Sequence, residues 1–322
     1  MLFYFPLVLL IDDKKKFKSL CLVLVGTCIY YTYWANERYL SGEMWAYTLN
    51  GRLRGPGVYR DENAFAVMFV CCLPFLFVVA LELRSKWLRY GILLSAVPLG
   101  WHSVFLIASR GALLGLTLSS LAIGRMFRSK TMVLALGGLL ILAVLTQGGV
   151  LLSRSTETVE VRAQEDRPLD PRLVTWKAGY LVMLDYPLLG VGAERFQLVG
   201  AAYLPPDTKR VQVIHNTFLQ VASQSGIPAG LIYLWFFYRV FWKTRTLTDS
   251  KRFALWRYKY ALDASLIGFF VCAIFLNLLI NEFLYLLLGL NQILDNQTAQ
   301  SKLNDDEKVG LRSVSPKVGV SP

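Results

Sequence analysis

Along the chain, apolar runs of membrane-crossing length alternate with short polar or charged stretches. Mostly apolar residues cover about 19–35, 64–82, 89–107, 111–127, 131–151, 213–239, 260–277 and 279–294. A run of about 17–25 such residues reads as a transmembrane helix, because a helix rising about 1.5 Å per residue needs that length to cross a bilayer core. The last two runs form one apolar stretch too long for a single crossing, so a break is expected between Asn277 and Glu282. Residues 1–11 are apolar but too short to span, and they lack the basic start and small-residue cleavage site of a secretory signal. They read as the end of a span or a short helix, with the expectation that further spans once preceded them. The pattern predicts an all-α, polytopic helical membrane protein with about eight spans and an N-terminal half-span. Residues 1–294 would form a single transmembrane domain. Residues 295–322, rich in Ser, Lys, Asp and Pro, would form a disordered cytoplasmic tail.

Composition agrees with this class. The chain is 55% hydrophobic, above the roughly 45–50% of soluble domains, and many of its Trp and Tyr lie near the ends of apolar runs, as at membrane–water interfaces. Charge then orients it. If the spans alternate, 21 of the 34 Lys and Arg fall on one side and 13 on the other, against 9 and 13 acidic residues. The whole formal excess of +12 therefore lies on one side, which should be cytoplasmic. The basic balance is thus topological, and it gives no reason to expect a nucleic-acid partner.

Two longer segments remain on the outer side, 36–63 and 152–212. In the second, Ser153 to Pro168 is polar, and Arg172 to Leu184 carries Leu173, Trp176, Tyr180, Met183 and Leu184 at helical spacing. This predicts a short amphipathic helix lying on the membrane or capping a cavity. Pro187 and Gly190-Val191-Gly192 mark a turn after it.

The five cysteines all sit inside apolar runs, without metal-ligand spacing to a histidine, and read as small packing residues. The outer side holds no Asp-x-Asp pair, though Asp61-Glu62 and Glu165-Asp166 are acidic neighbours, so a divalent metal is disfavoured and no cofactor is implied. The same side presents Arg54, Arg60, Arg110, Arg172 and His215. Arg110 stands between two apolar runs, where a guanidinium is costly unless it meets a cavity, an anion or the interface. Gly55 and Gly57 beside Arg54 suggest a tight turn whose amides could face an anion. Arginines grip phosphate oxygens in a fixed fork at any working pH, and a neutral imidazole can take a proton from a sugar hydroxyl. Arg54, Arg110, Arg172, Asn216 and Glu282 are therefore the candidate substrate-binding residues. His215, Arg172 and Arg110 are the candidate catalytic ones, with Glu282 as a reserve base. His102 and snorkelling arginines have plain structural readings as well.

Three stretches resemble the O-antigen ligase and O-antigen polymerase family of bacterial envelopes. They are Ser109-Arg110-Gly111-Ala112; Arg172-x3-Trp176 with Pro187-x2-Gly190-Val191-Gly192-x3-Phe196; and His215-Asn216-x2-Leu219-Gln220 with Gly226-Ile227-x2-Gly230-Leu231. The resemblance covers roughly residues 50–290. It implies a GT-C-like glycosyltransferase in the bacterial inner membrane with its active site on the extracytoplasmic face. Its donor would be a polyprenyl-diphosphate-linked glycan, its acceptor a glycan, lipid or protein, and its reaction inverting and metal-independent. The family's functional arginines and histidine map onto Arg110, Arg172 and His215. The alternatives are a lipid-linked glycan transporter or flippase, and an inactive, N-terminally truncated family member.

Overall fold

A computed structural model describes residues 4–48, 51–124, 171–205, 212–247 and 255–314. The described residues are helical throughout, save loops, short 3-10 turns and one isolated bridge between Tyr47 and Leu53. The helices are α1 (Tyr4–Leu10), α2 (Lys14–Leu40), α3 (Glu62–Glu82), α4 (Lys86–Leu94), α5 (Ala96–Ile107), α6 (Arg110–Gly124), α7 (Pro171–Asp185), α8 (Thr217–Ser225), α9 (Ile227–Leu247), α10 (Trp256–Phe275) and α11 (Glu282–Val314). A single turn, Phe196–Val199, lies between α7 and α8.

Three segments are long and apolar enough to cross a membrane: Glu62–Glu82, Lys86–Ile107 and Trp256–Phe275. Arg110–Gly124 and Ile227–Val240 are apolar but shorter. The expected count of eight is therefore met only in part. The expected span 131–151 and the stretch Ser153–Pro168 lie outside the described residues. The expected span 213–239 is in fact two helices, α8 and α9, because Gly226 at φ +90° interrupts the helical path between them. The Lys86–Ile107 segment also bends, at Ser95 between α4 and α5. The break foreseen in the final apolar stretch occurs over residues 276–281, and the last helix runs on to Val314 through residues expected to be disordered.

The centre of the array is α3, whose residues Phe65 to Leu76 are all buried. Against it pack α2, α5, α6 and α10. The contact of α6 with α10 is made by small residues. A Cβ at Gly115 would stand 2.7 Å from both Cys272 Sγ and the Gly268 carbonyl oxygen, and one at Gly111 would stand 2.9 Å from Phe275 Cβ. Without a hydrophobic force between helices in lipid, such close backbone approach supplies the attraction. The spacing Gly111-x3-Gly115-x3-Ser119 puts one smooth stripe of α6 against α10, and this seats Arg110 at the end of α10. Five free cysteines are buried, as packing residues should be.

Hydrogen bonds define the two ends of the array. At one, Lys18 and Tyr258 both donate to Glu82 Oε2 (2.7 and 3.0 Å). At the other, Arg52 donates to Glu62 Oε1 (2.6 Å), Asn63 Oδ1 (3.0 Å) and the Ile107 carbonyl (3.1 Å). Helix α3, with 21 residues, separates Glu62 from Glu82 by about 30 Å. The first residues of α2 and α10 thus share an end with the last of α3, as the alternation of spans requires.

Candidate active site

At the Arg52 end, the loop before α3 is pinned into place. Leu53, fully buried, donates its N–H to the Leu106 carbonyl, and Tyr59 packs edge-on against Tyr31 and tilted beside Phe65. The Gly55 amide is taken up by the Tyr59 carbonyl at 2.9 Å, so it is not offered to an anion. Arg54 and Arg60 are exposed. Arg52 is the arginine of this loop that the sequence did not single out. Its fork ties the loop to the start of α3 and to the end of α5, and Ser109 Oγ completes the joint by donating to Asn63 Oδ1 (3.1 Å).

Arg110 then opens α6 with its side chain exposed, and Arg172 is the second residue of α7. Neither helix has an acidic residue in its first turn. A helix N-terminus carries a partial positive charge, so it adds to an arginine's attraction for an anion. By contrast, α3 begins in the ordinary way, with Asp61 capping the Ala64 N–H and Glu62 in the first turn. Two arginine-headed helix N-termini therefore belong to this part of the molecule.

The expected amphipathic helix is present as α7, with its large apolar residues turned away from the protein. Thr175, Ala178, Gly179 and Val182 point inward, while Leu173, Tyr180 and Leu184 are each about half exposed. The reason is close packing: a Cβ at Gly179 would lie 3.0 Å from Ile214 Cδ1 and 3.3 Å from Leu219 Cδ2, so only a small residue fits there. Trp176 sits at the edge, its ring 6.4 Å from that of Phe275. Its indole N–H is buried and has no hydrogen-bond partner among the described residues. Phe275 also touches Gly111, so one ring separates the Arg110 end of α6 from α7.

His215 lies in the segment that α7 packs against. It adopts φ +49°, a left-handed conformation uncommon for a residue with a side chain. Asn216 follows as the N-cap of α8, its side-chain oxygen accepting the Leu219 N–H at 3.0 Å, so this substrate-binding candidate has a structural task. Thr217 Oγ1 donates to the Leu276 carbonyl (2.8 Å) and accepts the Leu278 N–H (3.0 Å), fixing the start of α8 to the joint between α10 and α11. The other end of α8 is held by the Gly190 turn. Val191 and Gly192 donate to the Ser223 and Gln224 carbonyls (3.0 and 2.9 Å), two of the carbonyls a helix end leaves free. The histidine is thus held at a fixed angle by both sides of the crevice.

Burial lowers the basicity of His215, and the Arg172 charge lowers it further; Asp61 opposes and Arg52 adds to the lowering. At neutral pH the ring is the uncharged base that proton abstraction needs. Arg110 and Glu282 are not among the charges acting on it. Glu282 is exposed in the first turn of α11 and acts instead on the phenol of Tyr59, whose acidity is weakened mainly by burial. The Arg172 charge thus acts on His215, Arg110 is related to α7 through Phe275 and Trp176, and Arg54 and Glu282 are exposed. Arg52, Asp61 and the Trp176 N–H are additions that no local pattern announced. Among the described residues, no three His, Cys, Asp or Glu side chains are grouped as a metal site would need.

The coupling can be measured. The chain has two histidines, so His102→Gln leaves His215 as the single imidazole signal in an NMR titration. Its midpoint is expected below the ordinary value of 6.5. Arg172→Gln should move it up and Asp61→Asn should move it down; a midpoint that ignores both changes would dissolve the cluster. The sign for stability follows. Below pH 6.5 the unfolded chain binds this proton more readily, so the contribution of His215 is present above that pH and is lost as pH falls towards the lowered midpoint.

No curated protein matches the chain. Residues 96–234, which include Arg110, Arg172 and His215 and exclude Arg52 and Glu282, match the family model described as O-antigen ligase. This match, over residues 96–234, supports the resemblance to the O-antigen ligase/polymerase family.

Proposed function

We propose that this protein transfers a glycan from a polyprenyl-diphosphate carrier to an acceptor hydroxyl at the extracytoplasmic face of the bacterial inner membrane, with inversion and without a metal. The match of residues 96–234 to the O-antigen ligase model supports membrane glycosyltransferase activity in general. The observation that carries the finer reading is the pairing of a half-buried, weakly basic His215 with the charge of Arg172. Arg172 and Arg110 would hold the two phosphates, helped by the N-termini of their helices and by the Trp176 N–H. The acceptor oxygen attacks the anomeric carbon as its proton passes to His215. The bond from that carbon to the phosphate oxygen breaks on the opposite side, and polyprenyl diphosphate leaves with the electron pair, stabilised by the guanidiniums. A direct displacement of this kind inverts the anomeric centre.

The test is incubation of the reconstituted protein with a polyprenyl-diphosphate glycan pool and candidate acceptors, in the presence of EDTA. Released polyprenyl diphosphate and an inverted linkage on one acceptor are expected, and the molecule that gains the sugar tells polymerase from lipid or protein ligase. Movement of the lipid across the bilayer with no product would replace the enzyme reading by a transporter.

A further inference from the structure

A cavity of about 390 Å³ opens between the Gly190 turn, α8 and the joint from α10 to α11. It lies at the lower end of the roughly 300–1,000 Å³ typical of small-ligand pockets. Val213 and Ile214, the residues just before His215, form part of its wall. Its polar lining consists of four amides, Gln197, Gln220, Gln224 and Asn277, with one acid, Glu194. No Lys, Arg or His lines it among the described residues. Phe196 and the aliphatic side chains of the joint supply the apolar remainder.

Gln220 and Gln224 are each only 8% exposed. The Gln220 side-chain oxygen is buried with no hydrogen-bond partner among the described residues. Such an orphan costs about 1–3 kcal/mol unless something enters to satisfy it. Glu194, at the rim, is held at φ +60°. The other positive-φ residues with side chains, among those described, are Ala108 before Arg110 and His215 itself. Two of the three, Glu194 in the lining and His215 next to it, therefore lie at this cavity, and strained backbone is common at ligand clamps.

Resting on the glycosyl-transfer reading, we propose that this cavity is the binding site for a neutral sugar ring beside His215, with the Gln220 amide as its buried hydrogen-bonding anchor. Amides suit the task because each offers both a donor and an acceptor to hydroxyls. The apolar wall suits the C–H face of a pyranose. The described lining, amides and one acid, suits hydroxyl groups better than a diphosphate. The sugar is either the acceptor ring or the first ring of the donor, and both offer the same chemistry to the cavity.

The experiment uses the full-length protein in nanodiscs with Gln220→Leu and, separately, Ala193→Trp, which fills the mouth from an exposed position. Saturation-transfer NMR with a panel of free neutral hexoses and N-acetylhexosamines reads binding without requiring transfer. At least one sugar should bind to the unmodified protein, and both variants should weaken it about tenfold or more. If Gln220→Leu does not fold, Ala193→Trp decides alone. No sugar binding, or binding that survives the filled mouth, overturns the proposal; so does pyrophosphate binding with the same dependence on Gln220. In the transfer assay, a raised KM for the acceptor alone identifies the acceptor ring, and one for the donor alone the donor ring. Sugar binding intact in a protein that makes no product under any condition would remove the enzyme reading and leave the site standing.

Discussion

His215→Ala is expected to lower the rate of glycan transfer by about 10²–10⁴-fold, the range for loss of a positioned general base. Arg172→Ala should cost about 10²–10³-fold, as for removal of one donor that stabilises developing negative charge. The two losses arise differently. Without His215 the acceptor keeps its proton, and raising the pH should restore part of the rate. Without Arg172 the leaving diphosphate loses a guanidinium and His215 gains basicity, so raising the pH should restore little. Arg172→Lys is expected to recover only a fraction, because an ammonium cannot form the planar fork that spans two phosphate oxygens. The rates should be read as consumption of lipid-linked glycan, in protein whose helicity and thermal midpoint match the parent. Full activity in both alanine variants would end the mechanism, whatever the family.

Gly226→Ala is expected to destabilise the protein by on the order of 3–5 kcal/mol, among the largest effects of a single methyl group. Two penalties combine. The left-handed backbone alone costs a side chain about 1–2 kcal/mol. The new Cβ would also stand 2.1 Å from the Leu188 carbonyl oxygen, and backbone has no rotamer by which to yield. Gly190→Ala should behave alike, since its Cβ would meet the Gln224 carbonyl carbon at 2.3 Å. Gly42→Ala is the control. Its φ is +67° but nothing lies within 4 Å, so only the conformational cost should appear. Thermal midpoints in one detergent compare the three; equal losses at all of them would mean that the turn and α8 are not locked together as described. Because this lock also frames His215, the two site glycines should lose activity with stability, whereas Gly42→Ala should not.

The sequence was informative wherever the physics is local. A helix must satisfy its own backbone in lipid, so apolar length alone located α3, α10 and the α4–α5 segment. Gly190-Val191-Gly192 announced a turn because glycine tolerates the φ values found there. The break before Glu282 followed from the thickness of a bilayer. Periodicity was not enough where shape decided burial. On α7 the spacing left open whether Leu173, Tyr180 and Leu184 would face a membrane or a cavity; the small face with Ala178 and Gly179 packs inward because α8 and Ile214 come too close for anything bulkier. The split at Gly226 was hidden because both halves are apolar, and the reason for it, contact with Leu188, is nearly forty residues away along the chain.

For the candidate site, residue chemistry in the one-dimensional pattern put forward Arg110, Arg172 and His215, with snorkelling and helix capping as their plain structural readings. Only the tertiary structure brought Arg52 and Asp61 to bear on His215, stranded the Trp176 N–H and the Gln220 oxygen, and turned Asn216 to capping. These depend on distances between segments far apart in sequence, and on which polar atoms are left over after the backbone has taken its partners. Composition and spacing carry the cost of placing each residue type in lipid or water. They do not carry the pairing of one helix end with another, which small-residue packing and hydrogen bonds at the joints decide.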